Sequence, residues 1–105
     1  MNLSTIRELD PIIHAPIRLA ILSVLMASDG ATFGFLRDAI ETSDGNLSTH
    51  LTKLEVAGYV TINKSFVGKK PQTICAITEL GRKSYLNYFN RLEEIVQNKG
   101  ANTPI

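Results

Sequence analysis

Between Ser43 and Ala57 the chain reads SDGNLSTHLTKLEVA. Leu47, Leu51 and Leu54 recur at i, i+4 and i+7, the spacing of one apolar helical stripe. With that stripe turned inward, a helix directs Gly45, Ser48, Thr49, Thr52 and Lys53 outward and carries Asn46 and His50 at its flanks. These are short hydrogen-bonding groups with one cation among them. Further on, Lys69 and Lys70 stand side by side in VGKKPQ, where two ammonium groups suit an anionic partner. Catalytic chemistry finds no comparable constellation: GxSxG, HExxH and phosphate-loop patterns are all missing from the chain. Metal binding is equally unsupported, since Cys75, His14 and His50 are widely spaced and no two histidines stand at i, i+4. No cofactor is expected, and Cys75 reads as the core residue of a strand.

The elements that must hold these residues follow from changes of period. Leu3, Ile6, Leu9 and Ile13 recur at helical spacing, and Pro11 predicts a break over 10–12. Pro16 fits the first turn of a second helix whose stripe is Ile17, Ala20, Ile21, Val24 and Leu25. The segment Ser28-Asp29-Gly30-Ala31 ends it. Thr32 then serves as N-cap for a helix with Phe33, Leu36, Ala39 and Ile40 inward. Ser43 is the expected N-cap of the next helix, its hydroxyl accepting from the amide of Gly45 or Asn46, with Asp44 at the positive end of the dipole. Gly58 stops that helix, and the period drops to two. Val60, Ile62, Lys64 and Phe66 alternate with polar residues, Thr73, Cys75 and Ile77 do the same, and VGKKPQ turns between them: an antiparallel hairpin. Thr78 caps a last helix bearing Tyr85, Tyr88, Phe89, Leu92, Ile95 and Val96.

At 105 residues the chain is the size of one domain, with no internal repeat. No apolar run approaches the roughly 20 residues of a membrane helix, and Met1 to Leu9 lacks the layout of a secretory signal, so the expected compartment is the cytoplasm. The formal net charge is only +1. From Gly45 to Lys83, however, six basic residues face two acidic ones, a local +4, which leaves −3 for the remainder. The positive charge gathers on the polar helix and the hairpin, the mark of a surface turned toward a polyanion.

Two short helices joined by a tight turn, the second with a polar outer face, and then a basic hairpin make the layout of a winged helix-turn-helix. The fold class expected is therefore mainly α with a β-hairpin wing. A DNA major groove admits a helix and displays donors and acceptors that Asn, Ser, Thr and Lys side chains can read. Gly45 would let the helix start approach a phosphate closely, and wing lysines would add salt-dependent affinity without sequence choice.

The pieces R-L-A-I-L (Arg18 to Leu22), S-D-G-N-L-S-x-H-L-x-K-L-E-x-A-G-Y-V (Ser43 to Val60), G-K-K-P-x-T (Gly68 to Thr73) and T-x-x-G-R (Thr78 to Arg82) carry a family resemblance. Over about residues 10 to 97 the chain resembles the small MarR/ArsR-type winged-helix transcriptional regulators of bacteria and archaea. Where that family often writes Pro-Glu before the glycine of the last motif, this chain has Glu79-Leu80. The resemblance implies a homodimeric repressor or activator that binds DNA. By the same match, Asn46, Ser48, Thr49, His50 and Lys53 lie in the recognition helix and Lys69 and Lys70 in the wing.

The terminal helices supply the expectation of a dimer. Tyr85, Tyr88, Phe89, Leu92, Ile95 and Val96 cover a wider arc than one core requires, and Leu3, Ile6, Leu9 and Ile13 show a similar surplus. One domain is expected over 1–98, with 1–13 and 79–98 for dimerisation, 14–78 as the DNA-binding core and 99–105 as a flexible tail. The function expected is a sequence-specific DNA-binding transcriptional regulator with double-stranded DNA and a second copy of itself as partners. The alternative is a winged helix used as a protein-interaction module. Nothing marks a small-molecule effector, whose site would have to lie between the terminal helices and the winged core.

Overall fold

The computed structural model describes residues 3–101, with side chains through Gln97. The order is α1 (Leu3–Arg7), α2 (Pro16–Met26), β1 (Ala31–Thr32), α3 (Phe33–Ile40), α4 (Asp44–Val56), β2 (Val60–Val67), β3 (Lys70–Ile77) and α5 (Glu79–Ala101). Each boundary has a local cause. Pro16 opens α2 where its missing N–H is harmless. Thr32 accepts from the Phe35 amide at 3.1 Å and Ser43 from the Asn46 amide at 3.1 Å, so both expected N-caps form. Glu41 ends α3 in the left-handed region at φ 60°, which keeps the turn into α4 to three residues.

A strand not read from the sequence, β1, joins the hairpin to make a three-stranded antiparallel sheet in the order β1-β3-β2. Ala31 pairs with Cys75 and Thr32 with Ile74. Two residues bury too little to leave a periodic signature. The hairpin turn is also tighter than expected, because Val67 pairs with Lys70 and only Gly68 and Lys69 lie between. Gly68, at φ +64°, takes the first central position, where a two-residue II′ turn wants glycine. That register makes Phe66 and Pro71 a pair without ladder bonds, so proline costs the hairpin nothing there.

The core joins Leu9, Ile13, Ile21, Leu22, Leu25, Leu36, Leu47, Leu51, Leu54, Val60, Cys75, Tyr88 and Ile95. Truncating the fully buried Leu51 to alanine is expected to cost about 3 kcal/mol, read as a drop in urea midpoint at constant slope. Phe66, near the hairpin tip, is 73% exposed. Two expectations need correction. Ala39 is exposed, because α3 is only eight residues long and its buried stripe centres on Leu36. The terminal helices are the second case. Leu9, Ile13, Tyr88 and Ile95, assigned above to a dimer interface, are 5% exposed or less within the single chain. The reason is that α1 and the following turn lie back on α5, where Arg91 meets Glu8 at 3.1 Å.

The other expected interface residues divide. Leu3, Phe89 and Val96 are exposed, Ile6, Tyr85 and Leu92 half-buried. Leu86 is 52% exposed. On the wheel of α5, residues 85, 88, 92 and 95 make the inward stripe, and 96, 89 and 86 flank it on one side at about 60°, 80° and 140° from its centre. Both helix and molecule are extended, at 64 × 26 × 21 Å. α5 continues as helix through Ala101, past the boundary expected at residue 98, and residues 102–105 of the expected tail lie outside the described residues. No helix among the described residues is long and apolar enough to cross a membrane.

Candidate nucleic-acid interface

The outer face of α4 follows from its inner one. Leu47, Leu51 and Leu54 are buried, which fixes the helix rotation and leaves Gly45, Asn46, Ser48, Thr49, Thr52 and Lys53 exposed. Few of these are engaged elsewhere. Thr52 donates its hydroxyl to the Ser48 carbonyl at 2.9 Å, and none of the other side chains on this face is hydrogen-bonded to another described residue. A Cβ at Gly45 would meet nothing within 4 Å, so packing does not require glycine there. His50 differs from its neighbours: half-buried, its Nδ1 accepts from Arg18 at 3.0 Å.

Asp44, the residue of this region that would repel a phosphate, is paired. Arg37 donates to it at 3.1 Å and to Asp38 at 3.0 Å, and these carboxylates hold the guanidinium pKa above its ordinary value. The negative charge beside the start of α4 is thereby offset by a cation from α3.

Beyond α4, a groove of about 640 Å³ separates the helix from the sheet, lined by Ser48, Leu51, Thr52 and Glu55 on one side and Ile62, Lys64 and Thr73 on the other. Lys69 and Lys70 are exposed at the end of the wing. The outer polar face of α4 and the lysine tip thus belong to elements packed on one core, with Lys64 between them along β2. Lys64, Phe66 and Arg18 are residues here that sequence reasoning did not single out for a site. Lys64 and Phe66 read only as positions in the strand alternation, and Arg18 as part of a helix motif.

The electrostatics of His50 are one-sided. Burial, then the positive charges of Arg18 on α2 and Lys53 on α4, lower its pKa below the ordinary 6.5. The unfolded chain therefore takes up this proton at a higher pH than the folded one, and stability falls as pH drops below about 6.5. Melting temperature is expected to decline between pH 7.5 and 5.5, and His50→Gln to flatten that limb. An unchanged profile in the variant would assign the decline to other groups.

Among the described residues no three His, Cys, Asp or Glu side chains come together as a metal site. Cys75 lies in the core, and burial pushes its thiol up. His14 is tied to Tyr88, with Nδ1 2.7 Å from the hydroxyl. A cleft between the N-terminal segment and α5, lined by Leu9, Asp10, Ser84, Tyr88 and Arg91, measures about 210 Å³, below the size usual for a small-molecule pocket.

Comparison with known proteins agrees with this geometry. Residues 17–96 match the family described as a winged helix DNA-binding domain. An uncharacterized protein of Methanocaldococcus jannaschii is 33% identical over 87 residues, 83% of this chain and 95% of that protein. Among solved structures, a transcriptional regulator homologue from Pyrococcus horikoshii superposes with a TM-score of 0.83 at 24% identity, covering 91% of this chain and 97% of the other. A MarR-family transcriptional regulator from Silicibacter pomeroyi gives 0.67 at 19% identity, covering 95% of this chain and 66% of that one. With its MarR-like fold and a match spanning most of its length, the chain belongs to the winged helix DNA-binding domain family.

Proposed function

We propose that this protein is a homodimeric, sequence-specific regulator of transcription that lays α4 in the DNA major groove and its wing on the backbone. One observation carries the reading: the outer face of α4 is a row of short polar side chains, nearly all without hydrogen-bond partners among the described residues, beside a lysine-tipped hairpin. Asn46 is suited to a bidentate contact with adenine, and Ser48, Thr49 and Thr52 to single bonds with base edges. The open space around Gly45 favours close approach of a phosphate to the first turn of α4. A related structure is that of overoxidized AbfR bound to DNA, which superposes over 79% of this chain with a TM-score of 0.67.

Selection of bound sequences from a random duplex library tests the reading. It is expected to return a palindrome whose half-sites lie about 34 Å apart, one helical turn. Asn46→Ala or Thr49→Ala is expected to relax preference at one position per half-site, at about 1–3 kcal/mol of discrimination. No retention on duplex DNA of any sequence, even at low salt, would instead favour the protein-interaction module.

The dimer rests on the second stripe of α5. Leu86, Phe89 and Val96 are exposed along a helix that projects from the domain, with Leu3 exposed on α1. Exposed apolar side chains of this kind suit a surface that a two-fold partner buries. Phe89→Glu with Val96→Glu is expected to yield a folded monomer in sedimentation, since neither side chain is buried in its own chain. A dimer persisting in that variant would place the interface elsewhere.

A further inference from the structure

The hydrogen bond between Arg18 and His50 decides which ring nitrogen of His50 carries the proton. Nδ1 lies 3.0 Å from a terminal nitrogen of Arg18. A guanidinium is protonated at any ordinary pH and has donors only, so the ring nitrogen facing it must be the one with the lone pair. A neutral ring in that state bears its hydrogen on Nε2.

Arg18 is not free to swing aside. Its Nε donates to the Ile12 carbonyl at 2.6 Å, and its other terminal nitrogen lies 3.4 Å from the Pro11 carbonyl. One planar fork therefore joins the turn before α2 to the ring on α4. Nε2 has no hydrogen-bond partner among the described residues, and no buried side-chain nitrogen or oxygen among them lacks one, so Nε2 is open to solvent. The charged groups facing the ring are Arg18 from α2 and Lys53 from α4, both cationic and both opposed to a second ring proton.

We propose that Arg18 is a positioning residue that locks His50 as the neutral Nε2–H tautomer, so that the flank of α4 offers one obligate donor to an acceptor on the duplex. The inference rests on the placement of α4 against DNA proposed above. A ring held this way bonds guanine N7 or O6, adenine N7, thymine O4 or a phosphate oxygen. It cannot accept from the amino groups of cytosine or adenine. An unlocked imidazole could do either.

Two measurements test it. On the free, 15N-labelled full chain at pH 7.5, long-range 1H–15N correlation is expected to show a single Nε2–H tautomer for His50, and a spectrum with the proton on Nδ1, or a mixture, overturns the lock. The second is a double-mutant cycle in duplex binding. His50→Ala is expected to weaken binding about five-fold in the native background, one hydrogen bond, and by a smaller factor, about two-fold, once Arg18→Leu is present, because the freed ring donates from Nε2 only part of the time. Equal losses in both backgrounds overturn the positioning role. If Arg18→Leu does not fold, Arg18→Lys takes its place, because a single ammonium cannot bridge the two carbonyls and the ring together. The source of the acceptor shows in the selected sequences. A base acceptor makes His50→Ala lose preference at one position, whereas a phosphate acceptor makes it lose affinity evenly. Should the native protein bind no duplex at all, the proposed function falls, while the spectrum still judges the Arg18–His50 lock by itself.

Discussion

Replacing both wing lysines, Lys69→Ala with Lys70→Ala, is expected to lower duplex affinity about 60-fold per wing at 0.1 M salt, whatever the DNA sequence. Each phosphate contact contributes about 0.9 to the slope of log affinity against log salt, so two contacts remove about 1.8 per wing and twice that in a two-fold dimer. The tip itself should survive the change. Both residues are exposed, and the turn depends on Gly68 rather than on either lysine. Fluorescence anisotropy on a fixed duplex between 50 and 300 mM salt reads affinity and slope together. A variant whose sequence preference changed while its slope stayed the same would reverse the roles of wing and helix.

The second large effect concerns stability. Gly81→Ala is expected to cost about 3 kcal/mol, or roughly 15 °C in melting temperature at constant protein concentration. A Cβ at this position would lie 2.2 Å from the Tyr59 carbonyl oxygen and 2.8 Å from Ile77 Cγ1, and the nearer atom is backbone that cannot step aside. The crowding has a cause in the way α5 begins. Thr78 accepts from the Gly81 amide at 2.9 Å, donates its hydroxyl to the Gly58 carbonyl at 2.6 Å, and gives its own amide to Tyr59 at 2.9 Å. Two of these bonds clamp the first turn of α5 onto the start of the wing, the third closes that turn, and only a residue without a side chain fits between. Calorimetry on the variant checks this. An unchanged transition would mean that the strand start relaxes at little cost.

That clamp illustrates where sequence reasoning stops. Thr78 was legible as an N-cap because capping is local, reaching three residues along the chain. The need for glycine three residues later was visible only as a motif. Its reason lies in Tyr59, more than twenty residues away in sequence and brought there by the wing.

The same division runs through the site. Leu47, Leu51 and Leu54 set the rotation of α4 by period alone, so the outward set from Gly45 to Lys53 could be listed without coordinates. Periodicity could not tell which outward residue would be tied down. His50 is bound by Arg18, 32 positions earlier, and Asp44 by Arg37 across the turn of the helix pair.

What the amino-acid order settled by itself is everything governed by neighbours within a few residues: the caps at Thr32, Ser43 and Thr78, the stop after α4 at Gly58, the change of period into the hairpin, and the polar face of α4. The tertiary structure decided matters of long-range company. It paired Ala31–Thr32 with β3, left Phe66 uncovered at the end of the wing, and divided the apolar terminal helices into a stripe buried at home and a second facing out. The physical reason is that helical and strand periods report which face of an element is apolar, whereas burial depends on whether another element reaches that face.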